Sequence, residues 1–261
     1  MTNAIFGEEH ELFRAQLRRF VRERLTPHVD AWEDAGVFPR SVYAELAEAG
    51  FLGAGFPERF GGGGGDLGHM VVMAEELTAS GSPGLAASLG SLAIALPPIL
   101  AAGTDAQRER WMRPVLEGRW IAALAITEPS GGSDVANLTT RATRDGDGWV
   151  LRGQKTFITS GTRADLLVVA ARTGGPGAGG VSLFGVETAR SPVVASAPLR
   201  KMGWHASDTA ELFFEDVRVP ADALIGGENA GFAVAMANFA TERVVLSGWT
   251  RNAVRYQPAA T

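Results

Sequence analysis

Residues 125–161 read AITEPSGGSDVANLTTRATRDGDGWVLRGQKTFITSG, and this stretch decides the fold. Asp145-Gly146-Asp147-Gly148 sits between two runs of strand character: Leu138, Thr140 and Ala142 alternate before it, Trp149 and Leu151 after it. Asp-Gly supplies the positive φ that a tight turn needs, so the pattern predicts a β-hairpin. The hairpin carries two loops toward one end of a sheet, Thr127 to Asp134 and Thr159-Ser160-Gly161. Both are rich in Gly, Ser and Thr. Their hydroxyls and open backbone N–H groups suit a polar, flat or anionic ligand.

Toward the N-terminus the texture is helical. Phe13, Leu17, Val21 and Leu25 recur every four residues over 8–25, an amphipathic stripe with Pro27 just beyond. Ser41 to Ala49 reads as a second helix stopped by Gly50, Asp66 to Ala79 as a third, and Ser82 to Leu96 as a fourth. Thr104 with Gln107 is a capping box that opens a helix to about Arg113, before Pro114. After Trp120, roughly five to eight short strands fit residues 122–219, and from Glu228 the pattern returns to helix. The expected fold is α+β: a helical N-terminal domain (1–120), a β-barrel-like central domain (121–222) and the start of a C-terminal helical domain (223–261).

Composition narrows the function classes. The chain is 46% hydrophobic with a net charge of −5, which lacks the basic footprint of a nucleic-acid binder. It has no cysteine, so disulfides, thiolate metal sites and cysteine nucleophiles are excluded. No basic region precedes an apolar run at the start, so a cytoplasmic protein without a secretory leader is expected. Residues 84–103 are uncharged, but Gly90 and Pro97-Pro98 interrupt them. A buried core helix ended by the prolines is expected there, not a membrane span. Gly63 to Gly68 formally matches G-x-G-x-x-G without a preceding strand, and reads as a flexible inter-helix loop. His10, His28, His69 and His205 show no ligand spacing, so no metal site is expected. Trp111, Trp120 and Trp149 read as core residues.

The last helical segment carries one charged residue on an apolar seam. Phe232, Ala235, Phe239, Glu242, Leu246 and Trp249 are spaced 3, 4, 3, 4, 3. A carboxylate buried on such a seam gains the basicity useful to a general base. On composition alone, Glu242-Arg243 reads more readily as a solvated pair. No later helix follows to cover the seam, so self-association, a partner subunit or fraying after Gly226 is expected.

Two blocks of residues resemble the acyl-CoA dehydrogenase flavoprotein family. The first is Ile126-Thr127-Glu128-Pro129 through Gly132-Ser133-Asp134, with Gly153-Gln154-Lys155 and Ile158-Thr159-Ser160-Gly161. The second is Lys201-Met202-Gly203-Trp204, Ser207-Asp208-Thr209, Phe214-Glu215-Asp216-Val217 and Val219-Pro220. The resemblance runs from about Glu8 to Arg243 and stops where family members continue into a long helical domain, as in a C-terminally truncated member.

That resemblance implies FAD as cofactor, held by Leu124, Ala125, Ile126, Thr127, Phe157, Ile158 and Thr159, with Ser133 near phosphate or substrate groups. It implies α,β-dehydrogenation of an acyl-CoA thioester. Glu242 stands at the position of the base in long-chain and isovaleryl members, and Arg243 at the substrate-contacting arginine beside it. Leu85 to Leu96 would line the acyl tunnel, and an electron-transferring flavoprotein would reoxidise the cofactor in a homo- or hetero-oligomer. Two other readings stay open: an inactive fragment or interaction subunit, and a related flavoprotein acting on a carrier-bound acyl group.

Overall fold

The computed structural model describes residues 6–253; the side chains at 240–242, 246 and 248–253, among them Glu242, Leu246 and Trp249, lie outside that description. Helix α1 (Glu8–Phe20) continues through a π-type turn (Val21–Leu25) and a 3-10 turn (Thr26–His28) into α2 (Val29–Ala35). Pro27 falls in the first turn of the 3-10 segment, where a missing N–H leaves no bond broken. The stripe of Leu17, Val21 and Leu25 therefore runs on to buried Val29. Helix α3 (Ser41–Glu48) gives way to Gly50, whose φ of 77° only glycine adopts without strain. Helix α4 (Leu67–Thr78) starts at Asp66, whose carboxylate accepts from the His69 N–H.

The fourth predicted helix divides. Residues 82–96 do not form one helix ended by prolines: α5 (Pro83–Leu89) stops at Gly90-Ser91, and α6 (Leu92–Ala102) runs straight through Pro97 and Pro98. Pro98 has no N–H to give the Ile94 carbonyl one turn back. That carbonyl instead accepts from Asn238 Nδ2 at 3.0 Å, so a tertiary contact replaces the missing helical bond. The segment Pro83–Ala102 is long and apolar enough to cross a membrane by composition. Here Leu85, Leu89, Leu96 and Ile99 are buried in the protein core. A short α7 (Asp105–Gln107), capped by the Thr104–Gln107 box, passes through a π-type segment (Arg108–Met112) into α8 (Arg113–Leu116).

The β region is one eight-stranded sheet. Its strands are β1 (Ala122–Ala125), β2 (Arg141–Asp145), β3 (Gly148–Thr159), β4 (Leu166–Arg172), β5 (Val181–Glu187), β6 (Val194–Ala195), β7 (Thr209–Val219) and β8 (Leu224–Ile225). They run in the order β6-β7-β3-β2-β4-β5-β8, with β1 added parallel to β4. Strand β4 is buried along its whole length, and its residues alternate between two cores. Leu166, Val168 and Ala170 join the helices in one core. Leu167, Val169 and Ala171 pack with Trp149, Phe184 and Phe214 in the other. Trp111 and Trp149 are core residues as expected, while Trp120 is half-buried.

Helix α9 (Gly231–Ala253) packs on α4, α6 and β5. The expectation of a bare seam is thus corrected for Phe232, Ala235 and Phe239, which pack against earlier elements of the same chain, while Glu242, Leu246 and Trp249 lie outside the described side chains. Ala235, Asn238 and Val245 are buried, and Phe232 and Phe239 pack at the edge of the helical core. The glycine run at 61–65 is a loop that bonds back onto residues 53–56, through Gly63 N to Gly53 O at 2.9 Å and Gly64 N to Phe56 O at 2.9 Å. A Cβ at Gly62 would lie 2.2 Å from the Phe56 carbonyl oxygen, so close backbone approach explains that glycine.

Candidate active site

The predicted hairpin is β2–β3. Arg141 pairs with Arg152 and Asp145 with Gly148, and the turn glycine Gly146 has a φ of 60°. Strand β3 is then broken twice against β7, between Leu151 and Gly153 and between Lys155 and Ile158. At the first break Gly153 has a φ of 145°, and a Cβ there would lie 2.6 Å from Thr140 Oγ1. The second break turns Phe157 out of the sheet with a φ of 58° and leaves the residue 68% exposed. A bulky residue in the left-handed region is a local strain that the surroundings must hold in place.

Lys155 does much of that holding. Its ammonium is fully buried and donates to Ile126 O at 2.9 Å and to Glu128 Oε1 at 2.8 Å. Glu128 Oε1 also accepts from Thr140 N at 2.9 Å, and Oε2 from both Thr139 N and Thr139 Oγ1 at 2.6 Å. Burial alone would raise the Glu128 carboxyl, but the Lys155 charge and these hydrogen bonds bring it down to about 2. Burial lowers Lys155 to about 8 despite the neighbouring carboxylate. Beside this pair, Thr156 N donates to Thr127 O at 2.9 Å. Glu128 and Gly131 exchange backbone bonds of 3.1 and 3.2 Å that close the turn before Gly132.

The first predicted loop is therefore tied to the strand that leads into the second. Thr127 lies bonded to residue 156, beside Phe157, and the Cβ position of Gly132 is 3.7 Å from Thr127 Cγ2. Ala125, Ile126 and Ile158 are buried in the cores. Leu124, Thr127 and Thr159 are half-buried, and Ser133 is exposed. Arg243 is exposed on α9, and the side chain of Glu242 lies outside the described residues.

A small apolar cavity of about 30 Å³ lies between the helices. Met73 and Leu77 of α4, Ala86 and Leu89 of α5, Ala93 of α6 and Val245 of α9 line it. The stretch expected beside an acyl chain is thus a cavity wall.

Sequence reading gave Lys155 and Glu128 no role, because a lysine within a strand reads as solvent-facing. It also missed a cluster drawn from distant segments. His10 Nε2 and His69 Nδ1 lie 2.8 and 3.0 Å from Asp66 Oδ1, close enough for the three to share a metal ion. Hydrogen bonding accounts for the arrangement. His10 Nδ1 accepts from Gly7 N at 3.0 Å, which leaves Nε2 as the protonated nitrogen facing Asp66. Donation from His10, then from His69, holds the Asp66 carboxyl well below the usual carboxylate range.

Comparison with known proteins places this geometry. Residues 7–119 match the acyl-CoA dehydrogenase N-terminal domain, and residues 123–217 match the acyl-CoA dehydrogenase middle domain. The long-chain specific acyl-CoA dehydrogenase of Mus musculus is 42% identical over 246 residues, which are 93% of this chain and 57% of that protein. The chain thus spans little more than half the length of the curated relatives it matches. The crystal structure of acyl-CoA dehydrogenase from Geobacillus kaustophilus superposes with a TM-score of 0.92 at 41% identity, covering 97% of this chain and 67% of that one. A glutaryl-CoA dehydrogenase from Mycobacterium smegmatis, solved in complex with FADH2, gives a TM-score of 0.86 at 28% identity, over 95% and 63% of the two chains. With its helical and β regions both matched and its fold reproduced at this identity, the chain belongs to the acyl-CoA dehydrogenase family.

Proposed function

We propose that this chain forms the flavin-binding face and the proton-abstracting side of an FAD-dependent enzyme that desaturates acyl-CoA thioesters between the α and β carbons. The observation that carries the reading is the bonding of the Thr127 loop to Lys155 and Thr156 of β3, with Phe157 turned out next in the chain, before Thr159. These residues fit a flavin. Phe157, 68% exposed in a left-handed conformation, offers an aromatic face, and Thr127, Gly132 and Ser133 offer donors on the loop bonded to the neighbouring residue 156.

When bound, FAD supplies the two-electron acceptor for a hydride leaving the β carbon. Thr127 and Thr159 would hold its ring edge through hydroxyl and backbone donors, and the backbone of 124–127 and 158 would line it. Ser133, exposed at the loop end, would meet phosphate or substrate groups. Glu242 would take the α proton on a carboxylate oxygen. Support comes from α9 itself, where positions 235, 238 and 245 are buried and 242 continues the same three-and-four spacing. Arg243 would meet the CoA portion. The apolar wall formed by α4, α5 and α6 would receive the acyl chain. An electron-transferring flavoprotein would reoxidise the cofactor.

The test is a titration of the purified chain with FAD, followed by flavin absorbance and fluorescence. Saturable binding with a perturbed flavin spectrum is expected. No binding, with the chain folded by circular dichroism, would contradict the reading.

A further inference from the structure

The Glu128–Lys155 pair sits directly behind the segment assigned to the flavin. Lys155 is 0% exposed and Glu128 3% exposed. Apolar side chains of similar volume commonly serve stability as well as such a pair or better, so stability alone does not account for it. Its geometry does. Lys155 Nζ binds the carbonyl of Ile126 on one side of Thr127 and the carboxylate of Glu128 on the other. No cis peptide occurs among the described residues, and in a trans peptide the carbonyl and the following N–H point in opposite directions. With the Ile126 carbonyl drawn inward to Lys155, the Thr127 N–H is turned away from the buried ammonium. The Thr127 carbonyl is taken up by Thr156 N at 2.9 Å, which fixes the next peptide as well.

We propose that Lys155, held by Glu128, is a positioning residue that aims the Thr127 amide at the flavin and so sets the cofactor's affinity and reduction potential. The inference rests on the flavin reading above. Reduction adds negative charge to the ring, so an aimed N–H favours the reduced form over the oxidised one. The charge of Lys155 is offset by Glu128 at 2.8 Å, and Lys155 acts by fixing the peptide. Glu128 keeps the cation in place, because its remaining oxygen sites are occupied by Thr139 and Thr140.

The test uses the full chain, its Lys155→Met and Lys155→Arg variants, and FAD. Lys155→Met should weaken oxidised FAD about tenfold and reduced FAD about tenfold more, which lowers the midpoint potential by about 30 mV for a two-electron couple. Lys155→Arg keeps the cation and a donor toward Ile126 O, and should recover most of both losses. A Lys155→Met protein that folds, binds FAD as tightly as the parent and shows the parental potential would overturn the proposal. If Lys155→Met does not fold, Glu128→Gln replaces it. That change keeps the shape and removes the charge holding Lys155, so the same weakening is expected and unchanged FAD binding overturns the idea. Failure of the parent chain to bind FAD would instead remove the flavin reading on which the inference stands.

Discussion

Asn238 on α9 donates to the carbonyl of Ile94 on α6 across 3.0 Å, making the bond that Pro98 withholds from its own helix. Removing the donor takes a hydrogen bond from a part-buried acceptor, at a cost of about 1 kcal/mol. Asn238→Ala should therefore destabilise the chain by that amount in urea unfolding. In a Pro98→Ala background the backbone N–H at 98 can bond Ile94 again, and Asn238→Ala should cost less than half as much. Equal costs in both backgrounds would show that the two groups are not coupled.

This contact also explains where the sequence could and could not be read. The hairpin at Asp145–Gly148, the Asp66 cap and the Thr104–Gln107 box are local rules, and the chain obeys them. Pro97-Pro98 as a helix stop is equally local, but a side chain from 140 residues later overrides it. The loops of the site were legible as Gly-Ser-Thr clusters. Their support was not, because the burial of Lys155 depends on a carboxylate 27 residues away. The left-handed turn at Phe157 leaves no compositional trace, since it follows from the break in pairing with β7. The His10–Asp66–His69 cluster joins residues 56 apart, beyond any spacing rule.

Acid should expose the Glu128–Lys155 pair. The Glu128 carboxyl falls from 4.5 to about 2 on folding, so the folded state binds fewer protons than the unfolded state between those values. Its contribution to stability is therefore complete above pH 4.5 and is lost as the pH falls through 2. Unfolding midpoints measured across this window should drop in the parent chain. The drop should be smaller in Glu128→Gln, which has no carboxyl to titrate; an identical slope would remove Glu128 from the acid limb.

The hydroxyls of Thr127 and Thr159 are proposed to hold the flavin edge. Each hydrogen bond lost should cost about 1 kcal/mol. Thr127→Ala with Thr159→Ala should thus weaken FAD by about tenfold to thirtyfold in a fluorescence titration, with little change in the unfolding midpoint. Unchanged affinity would leave the backbone N–H groups as the only contacts from these two positions.

The central claim is that a flavin held by the Thr127 and Thr159 segments and a carboxylate at position 242 act together on an acyl-CoA thioester. The most direct measurement is the anaerobic bleaching of FAD-loaded protein by an acyl-CoA, comparing the parent with Glu242→Gln. The account predicts that the parent bleaches on mixing, while Glu242→Gln holds FAD equally well but reduces it about 100- to 10,000-fold more slowly. Bleaching of Glu242→Gln at the parental rate, or a loaded parent that no acyl-CoA bleaches, would contradict it.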